Sequence, residues 1–258
     1  MRLFLIGGLL SYRALFNWLQ PAVYLPTMLG KPLFQIVFFT ILGRYSAVGD
    51  DRYFVVGNAV ATTAMAGIYG MVMTLANERE FGTLPAILAS PANRFALYVG
   101  RTVPVVLNGL LVSAFGFGVG FLVLGVRIPG GALAPIAATV AVTSVSCTLF
   151  GLALGAVALR LRDLWVGSNL ASYVLLLACG GALPVSAMPG WLAALGRFLP
   201  LTHGIEAARR LSTGAGLSDV SRLIGWEALV GLAYGAIGYG LLRYFEAQSR
   251  RRAFRDAA

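Results

Sequence analysis

Few side chains in this sequence have the type and spacing for bond-making chemistry. There is one histidine, His203, and there are two cysteines, Cys147 and Cys179. No metal-ligand cluster, no glycine-rich phosphate loop and no nucleophile beside a base stands anywhere in the chain. Both cysteines sit inside apolar runs and read as small core residues. His203 reads as a hydrogen-bonding residue of a loop. Of the ten acidic residues only Glu227 falls within a long apolar stretch, close to its end and beside Trp226. It serves there either as an interfacial anchor or as a transport carboxylate. An enzyme acting inside the membrane would need a polar catalytic set in the apolar runs, and none is present.

The informative stretch is Asn77-Glu78-Arg79-Glu80-Phe81-Gly82-Thr83-Leu84-Pro85-Ala86-Ile87-Leu88-Ala89-Ser90-Pro91. Thr83 is suited to cap a helix, Pro85 is tolerated in a first turn, and Pro91 stops the helix. Phe81, Leu84 and Leu88 then share one face, with Ile87 adjacent. A short helix with one apolar face has two uses: it lies on a membrane, or it fills a groove on a partner protein.

The elements that position this stretch follow from composition. Hydrophobic residues make up 58% and charged residues 12% of 258, and there are 32 glycines. With glycine, the apolar share is about 70%, against roughly 45–50% in soluble domains. A soluble fold of this size has too little polar surface to cover so much apolar side chain. The net charge is +10, from 20 basic and 10 acidic residues. The basic residues punctuate apolar runs instead of forming patches on a polar chain, so the expected partner is a lipid bilayer and not nucleic acid.

A bilayer-spanning helix needs about 20 mostly apolar residues. Six such stretches are predicted, near 27–45, 54–76, 95–124, 132–159, 165–187 and 223–245. Residues 1–20 carry apolar side chains around Arg2, Arg13, Asn17 and Gln20, with no cleavage site, and suit a retained helix lying in the interface. The fold class is therefore an all-α integral membrane protein in one domain over 1–258, with a partly helical outer loop over 188–222. Twelve arginines fall on one side and seven on the other, four of those seven in the long 188–222 loop, so both termini are expected in the cytoplasm. Lys31 is expected to snorkel from the start of the first span. Gly116/Gly120, Gly151/Gly155 and Gly231/Gly235 have the spacing that lets helices approach closely in lipid, within one subunit or between subunits.

The run Glu-Arg-Glu-x-Gly-Thr-Leu-x-x-x-Leu-x-Ser-Pro over 78–91 resembles the signature of type-2 (ABC-2, G-type) ABC exporter permeases, the family that includes daunorubicin-exporter-like membrane subunits. Gly181-Ala-Leu-Pro184 with Met188-Pro189-Gly190-Trp191-Leu192, and Pro200-Leu201-Thr202-His203-Gly204-Ile205-Glu206-Ala207-Ala208-Arg209, resemble that family's outer loop. Pro85 departs from the pattern, standing where an acidic residue is common. The N-terminal region lacks the charged interface motif of polysaccharide-exporting relatives, which argues against a polysaccharide cargo.

The resemblance implies the membrane subunit of an ATP-driven exporter in the bacterial cytoplasmic membrane. Residues 78–91 would hold the coupling helix, with Glu78, Arg79, Glu80, Phe81, Gly82, Thr83, Leu84, Ile87 and Leu88 facing an ATP-binding subunit. ATP and Mg would be bound by that subunit, and this chain would carry no cofactor. A second permease copy or paralogue would complete the assembly. A hydrophobic or amphipathic cargo (drug, antibiotic, lipid or modified peptide) would pass along the first, second and fifth spans, with Phe34, Phe38, Phe39 and Tyr69 as candidate lining residues. In the outer loop Glu206 stands three and four residues before Arg209 and Arg210, so it can pair with either on one helical face. The alternative is a proton- or ion-coupled carrier, which would place ionisable groups inside the spans.

Overall fold

The computed structural model describes residues 25–46, 50–80, 82, 94–158, 164–181 and 184–256. Among these the chain is helical throughout, without a strand. A π-helical turn, Leu25–Gly30, leads into α1 (Lys31–Ser46), α2 (Asp51–Glu80), α3 (Arg94–Leu122), α4 (Gly130–Ala158) and α5 (Leu164–Ala178). A 3-10 turn at Val185–Ala187 precedes α6 (Gly190–Phe198), α7 (Thr202–Ser212) and α8 (Leu217–Asp256). Four helical stretches are long and apolar enough to cross a bilayer: Asp51–Leu75, Gly100–Leu122, Gly130–Ala158 and Leu217–Phe245. The fifth apolar stretch is helical only over Leu164–Ala178, because Gly180 adopts φ 80 and turns the chain away. The expected interfacial helix over 1–20 lies outside the described residues.

α2 and α4 form the centre. α4 packs against α8, α2, α7 and α3, and α2 carries α1, α3 and α5 on its other sides. Lipid offers no hydrophobic drive between helices, so close backbone approach and interhelical hydrogen bonds hold such a bundle. Gly151 shows the first: a Cβ there would stand 2.8 Å from the Gly67 carbonyl and 3.0 Å from Ile68 Cα, so α4 rests directly on the α2 backbone. At Gly231 a Cβ would stand 2.7 Å from Ser146 Cα, which brings α8 equally close to α4. These glycines serve packing within the chain.

The hydroxyls supply the second force. Ser113 on α3 donates to the Ala59 carbonyl of α2 at 2.9 Å, and Ser144 on α4 donates to Val106 of α3 at 3.1 Å. Thr139, Thr143 and Thr148 donate back to carbonyls four residues earlier, so these buried hydroxyls are satisfied inside their own helix. Leu229, Leu232 and Ile237 of α8 are exposed, as suits side chains facing acyl chains.

Candidate functional site

Three regions carry the candidate residues. The first is a face built by α1, α2 and α5. α1 is fixed on α2 by Gln35 Nε2, which donates to Asn58 Oδ1 at 3.1 Å. Asn58 is fully buried and donates in turn to the carbonyls of Phe54 at 2.9 Å and Gly181 at 3.1 Å, tying α2 to the end of α5. Where α1 meets α2, Arg44 forms a two-pronged ion pair with Asp51 and closes the hairpin.

On the face so built, Phe34 and Phe38 are 73% and 60% exposed, and Phe39 is half-buried. Leu170, Tyr173 and Leu177 of α5 form a second exposed stripe at helical spacing. Between the stripes Tyr69 of α2 donates its hydroxyl to Asn169 Oδ1 of α5 at 2.5 Å. Lys31 reaches into this gap: its Nζ lies 5.8 Å from the Tyr69 ring centroid and 5.9 Å from that of Tyr173. Tyr69 stands six residues before Leu75, the end of the apolar stretch of α2, hence about 9 Å inside it. Lys31 is exposed at the first residue of α1, with its amine beside these two aromatic faces. Each such contact contributes about 0.5–2 kcal/mol. No carboxylate among the described residues pairs with the amine.

The second region is the charged end of α2 and the segment that follows it. Glu78, Arg79 and Glu80 close α2, and Gly82 follows as a turn residue at φ 64. Phe81, Thr83, Leu84, Ile87 and Leu88 lie outside the described residues. α2 is one unbroken helix of 30 residues, about 45 Å long. It joins the segment to the far end of the molecule without a break.

At that far end sits the third region, α7. The side chain of Glu227, on α8, is buried and accepts two backbone hydrogen bonds, from Leu201 N at 2.7 Å and Gly204 N at 3.1 Å. These N–H groups open α7, where a negative charge is favoured by the helix dipole. Leu201 is held at φ 90, a left-handed conformation that a leucine adopts only when its surroundings require it. Ser146 of α4 donates to the Glu227 carbonyl at 3.1 Å, which adds α4 to the junction. Glu227 is thus neither an anchor at the interface nor a group facing the α1–α2–α5 face: it caps α7.

Glu206 pairs with Arg210 at 2.8 Å, both side chains about half exposed. Arg209 turns the other way and is 6% exposed. Its guanidinium stacks 3.5 Å from the Tyr53 ring centroid and its Nε donates to the Tyr53 carbonyl at 3.1 Å. The space it occupies against α2 exists because residue 57 is glycine; a Cβ there would collide with the guanidinium. Burial pulls the Arg209 group down to about 10, which leaves it charged at neutral pH. Arg52 adds a bond from Nη1 to the Ser212 carbonyl at 3.3 Å. α7 is therefore latched to α2 by two arginines and to α8 by one carboxylate.

Lys31, Asn58, Asn169 and Tyr173 were not candidates from sequence. For the first three the available signal was an amide or a charge in or beside an apolar stretch, which marks an interhelical contact or a site in a membrane protein; Tyr173 carried no such signal.

Fold and site define a multi-pass helical membrane protein with an aromatic face, a long helix leading to a charged segment, and a latched helix at the opposite end. Residues 35–239 match the sequence family described as ABC-2 family transporter protein. This chain belongs to that family. It is 26% identical over 239 residues to a protein of Escherichia coli (strain K12) named as a probable multidrug ABC transporter permease, YbhR, covering 88% of this chain and 63% of that protein. It is 25% identical over 249 residues to a protein of Mycobacterium tuberculosis (strain ATCC 25618 / H37Rv) named as a probable doxorubicin resistance ABC transporter permease, DrrC. That alignment covers 92% of this chain and 90% of the relative. The chain thus spans less than two thirds of the E. coli permease.

Proposed function

We propose that this chain is the membrane subunit of an ATP-driven exporter in the bacterial cytoplasmic membrane, with both termini in the cytoplasm. In this reading α1, α2, α3, α4, α5 and α8 are the six spans, and α6 and α7 belong to the outer loop. Residues 78–91 dock on a separate ATP-binding subunit, which holds ATP and Mg, and a second permease copy or paralogue faces the α1–α2–α5 surface. The cargo is hydrophobic or amphipathic, in line with the drug-related names of both relatives.

The observation that carries the reading is the unbroken α2. ATP-driven closure of the partner would push the segment beyond Glu80. A continuous helix would carry that displacement past Tyr69 to Tyr53, where Arg209 latches α7. Glu227 does not favour a proton-coupled carrier, since its carboxylate is committed to the start of α7.

The test is Leu88→Arg against Glu80→Gln, read by co-purification with a co-expressed ATP-binding subunit and by substrate-stimulated ATPase. Burying one apolar side chain contributes roughly 1.5–3 kcal/mol, and a few central residues dominate an interface. Leu88→Arg is expected to abolish assembly or coupling while the permease still inserts. Glu80→Gln is expected to be milder and salt-dependent. Normal assembly and transport by Leu88→Arg would overturn the reading and leave the segment as a membrane-surface helix.

A further inference from the structure

We propose that the part of α8 beyond its apolar stretch, residues 246–256, binds the headgroups of anionic phospholipids in the adjoining leaflet through Arg250, Arg251, Arg252 and Arg255. The inference rests on the proposed orientation, which makes that leaflet the cytoplasmic one. It concerns a segment outside the family match, which ends at residue 239. Three observations carry it. The first is that α8 does not stop where its apolar stretch stops. The stretch ends at Phe245, and the helix runs on to Asp256 without a break. Tyr244, an exposed aromatic residue, marks the depth of the interface. By helical rise Arg250 and Arg252 stand about 7.5 Å and about 10 Å past Phe245. The headgroup layer is roughly 5–8 Å thick, and an arginine can reach back toward it on its aliphatic stem, so the lipid phosphates are within range.

The second observation is charge balance. Residues 246–256 hold these four arginines against Glu246 and Asp256. The other acids on that side in the proposed orientation are Glu78, Glu80 and Asp163, against twelve arginines in all. Arginines stay in excess even if every one of these carboxylates is paired. The third is angular spread. Successive helical residues stand about 100° apart, so residues 250–252 cover about 200° of the circumference, and Arg255 falls within that arc. A protein groove takes one helical face around an apolar anchor, and Phe254 is the one large apolar residue of the segment. A helix leaving a bilayer meets headgroups on every side. Charge and spread together therefore favour lipid over an acidic partner protein.

The experiment uses the full chain in phosphatidylcholine nanodiscs, with bimane on Ser249→Cys in a background lacking Cys147 and Cys179. The probe is doxyl-chain phosphatidylglycerol at low mole fraction, matched with doxyl-chain phosphatidylcholine, each of which quenches bimane on contact. The anionic lipid is expected to quench about fivefold more efficiently. Arg250→Gln, Arg251→Gln, Arg252→Gln and Arg255→Gln combined should bring the two lipids to parity, and R250K/R251K/R252K/R255K should keep the preference. Salt at about 1 M should remove most of it, since the screening length falls to about 3 Å. An unchanged thermal midpoint checks the fold of each variant. Equal quenching by the two lipids with all four arginines present, or a preference that survives the four Gln changes, overturns the proposal. No ATP or partner subunit enters this assay. If the preference is absent and the Gln variant instead fails to co-purify with a co-expressed ATP-binding subunit, the segment is a protein contact and this inference falls alone. If the preference holds while a cysteine at Arg251 reacts from outside intact cells, the proposed orientation falls alone.

Discussion

Glu227→Gln is the most informative substitution, because it keeps the shape of the side chain and removes its charge. The carboxylate accepts from Leu201 N and Gly204 N, both buried, so an amide in its place can satisfy one of them and must turn its NH2 toward the other. Leaving a buried N–H without an acceptor costs about 1–3 kcal/mol, and replacing a charged acceptor by a neutral one costs about 1 kcal/mol more. Relief from burying the charge offsets part of this, so Glu227→Gln should lose about 2–3 kcal/mol. Glu227→Ala removes both acceptors and opens a cavity between α8 and α7, and should lose about 3–5 kcal/mol. Two measurements check the ordering: the unfolding free energy of the purified permease in mixed micelles, and the rate of protease nicking between α6 and α8. Local opening of α7 should raise the nicking rate by about tenfold per 1.4 kcal/mol. If Glu227→Gln matched the wild type within about 0.5 kcal/mol on both readouts, the carboxylate would not be holding α7, and the argument from the two hydrogen bonds would fail.

Glu206→Ala should cost only about 0.2–1 kcal/mol, because the Glu206–Arg210 pair is half exposed. Arg209→Ala removes the stack on Tyr53 and the bond to its carbonyl, and should cost about 2–4 kcal/mol by the same unfolding assay. Arg209→Lys should recover little of that, since an ammonium has no planar face to stack. Gly151→Ala should cost about 1–3 kcal/mol, since its Cβ would press on the α2 backbone, whereas Gly118→Ala faces open space and should be neutral or stabilising. Single cysteines at Asp50 and Gly190, in a background lacking Cys147 and Cys179, should react with an impermeant thiol reagent outside intact cells. Those at Asn93 and Arg251 should not, and strong outside labelling at Asn93 would overturn the proposed orientation.

Composition and apolar run length by themselves determined that this chain is helical and membrane-embedded, because a helix satisfies its own backbone and about 20 apolar residues match the thickness of lipid. They also determined where most of the helices lie along the chain, as the helices over 94–122 and 130–158 show. The charged run at 78–80 was legible as the exit from a span, since three charges in a row cannot enter lipid. What the sequence left open was azimuth and partner. Glu206 had two arginines in reach, and only the packing of α7 on α2 sends Arg209 to Tyr53 and leaves Arg210 to the carboxylate. Glu227 lay near the end of an apolar stretch, and nothing local says that its acceptors serve Leu201 and Gly204, more than twenty residues earlier. Lys31 stood at the start of an apolar run, and only the tertiary structure puts two tyrosines, from α2 and α5, beside its amine. A linear pattern records how apolar each turn of a helix is. Which neighbour each turn meets depends on crossing angles and on where small residues let backbones close, and those arise only when all the helices pack together.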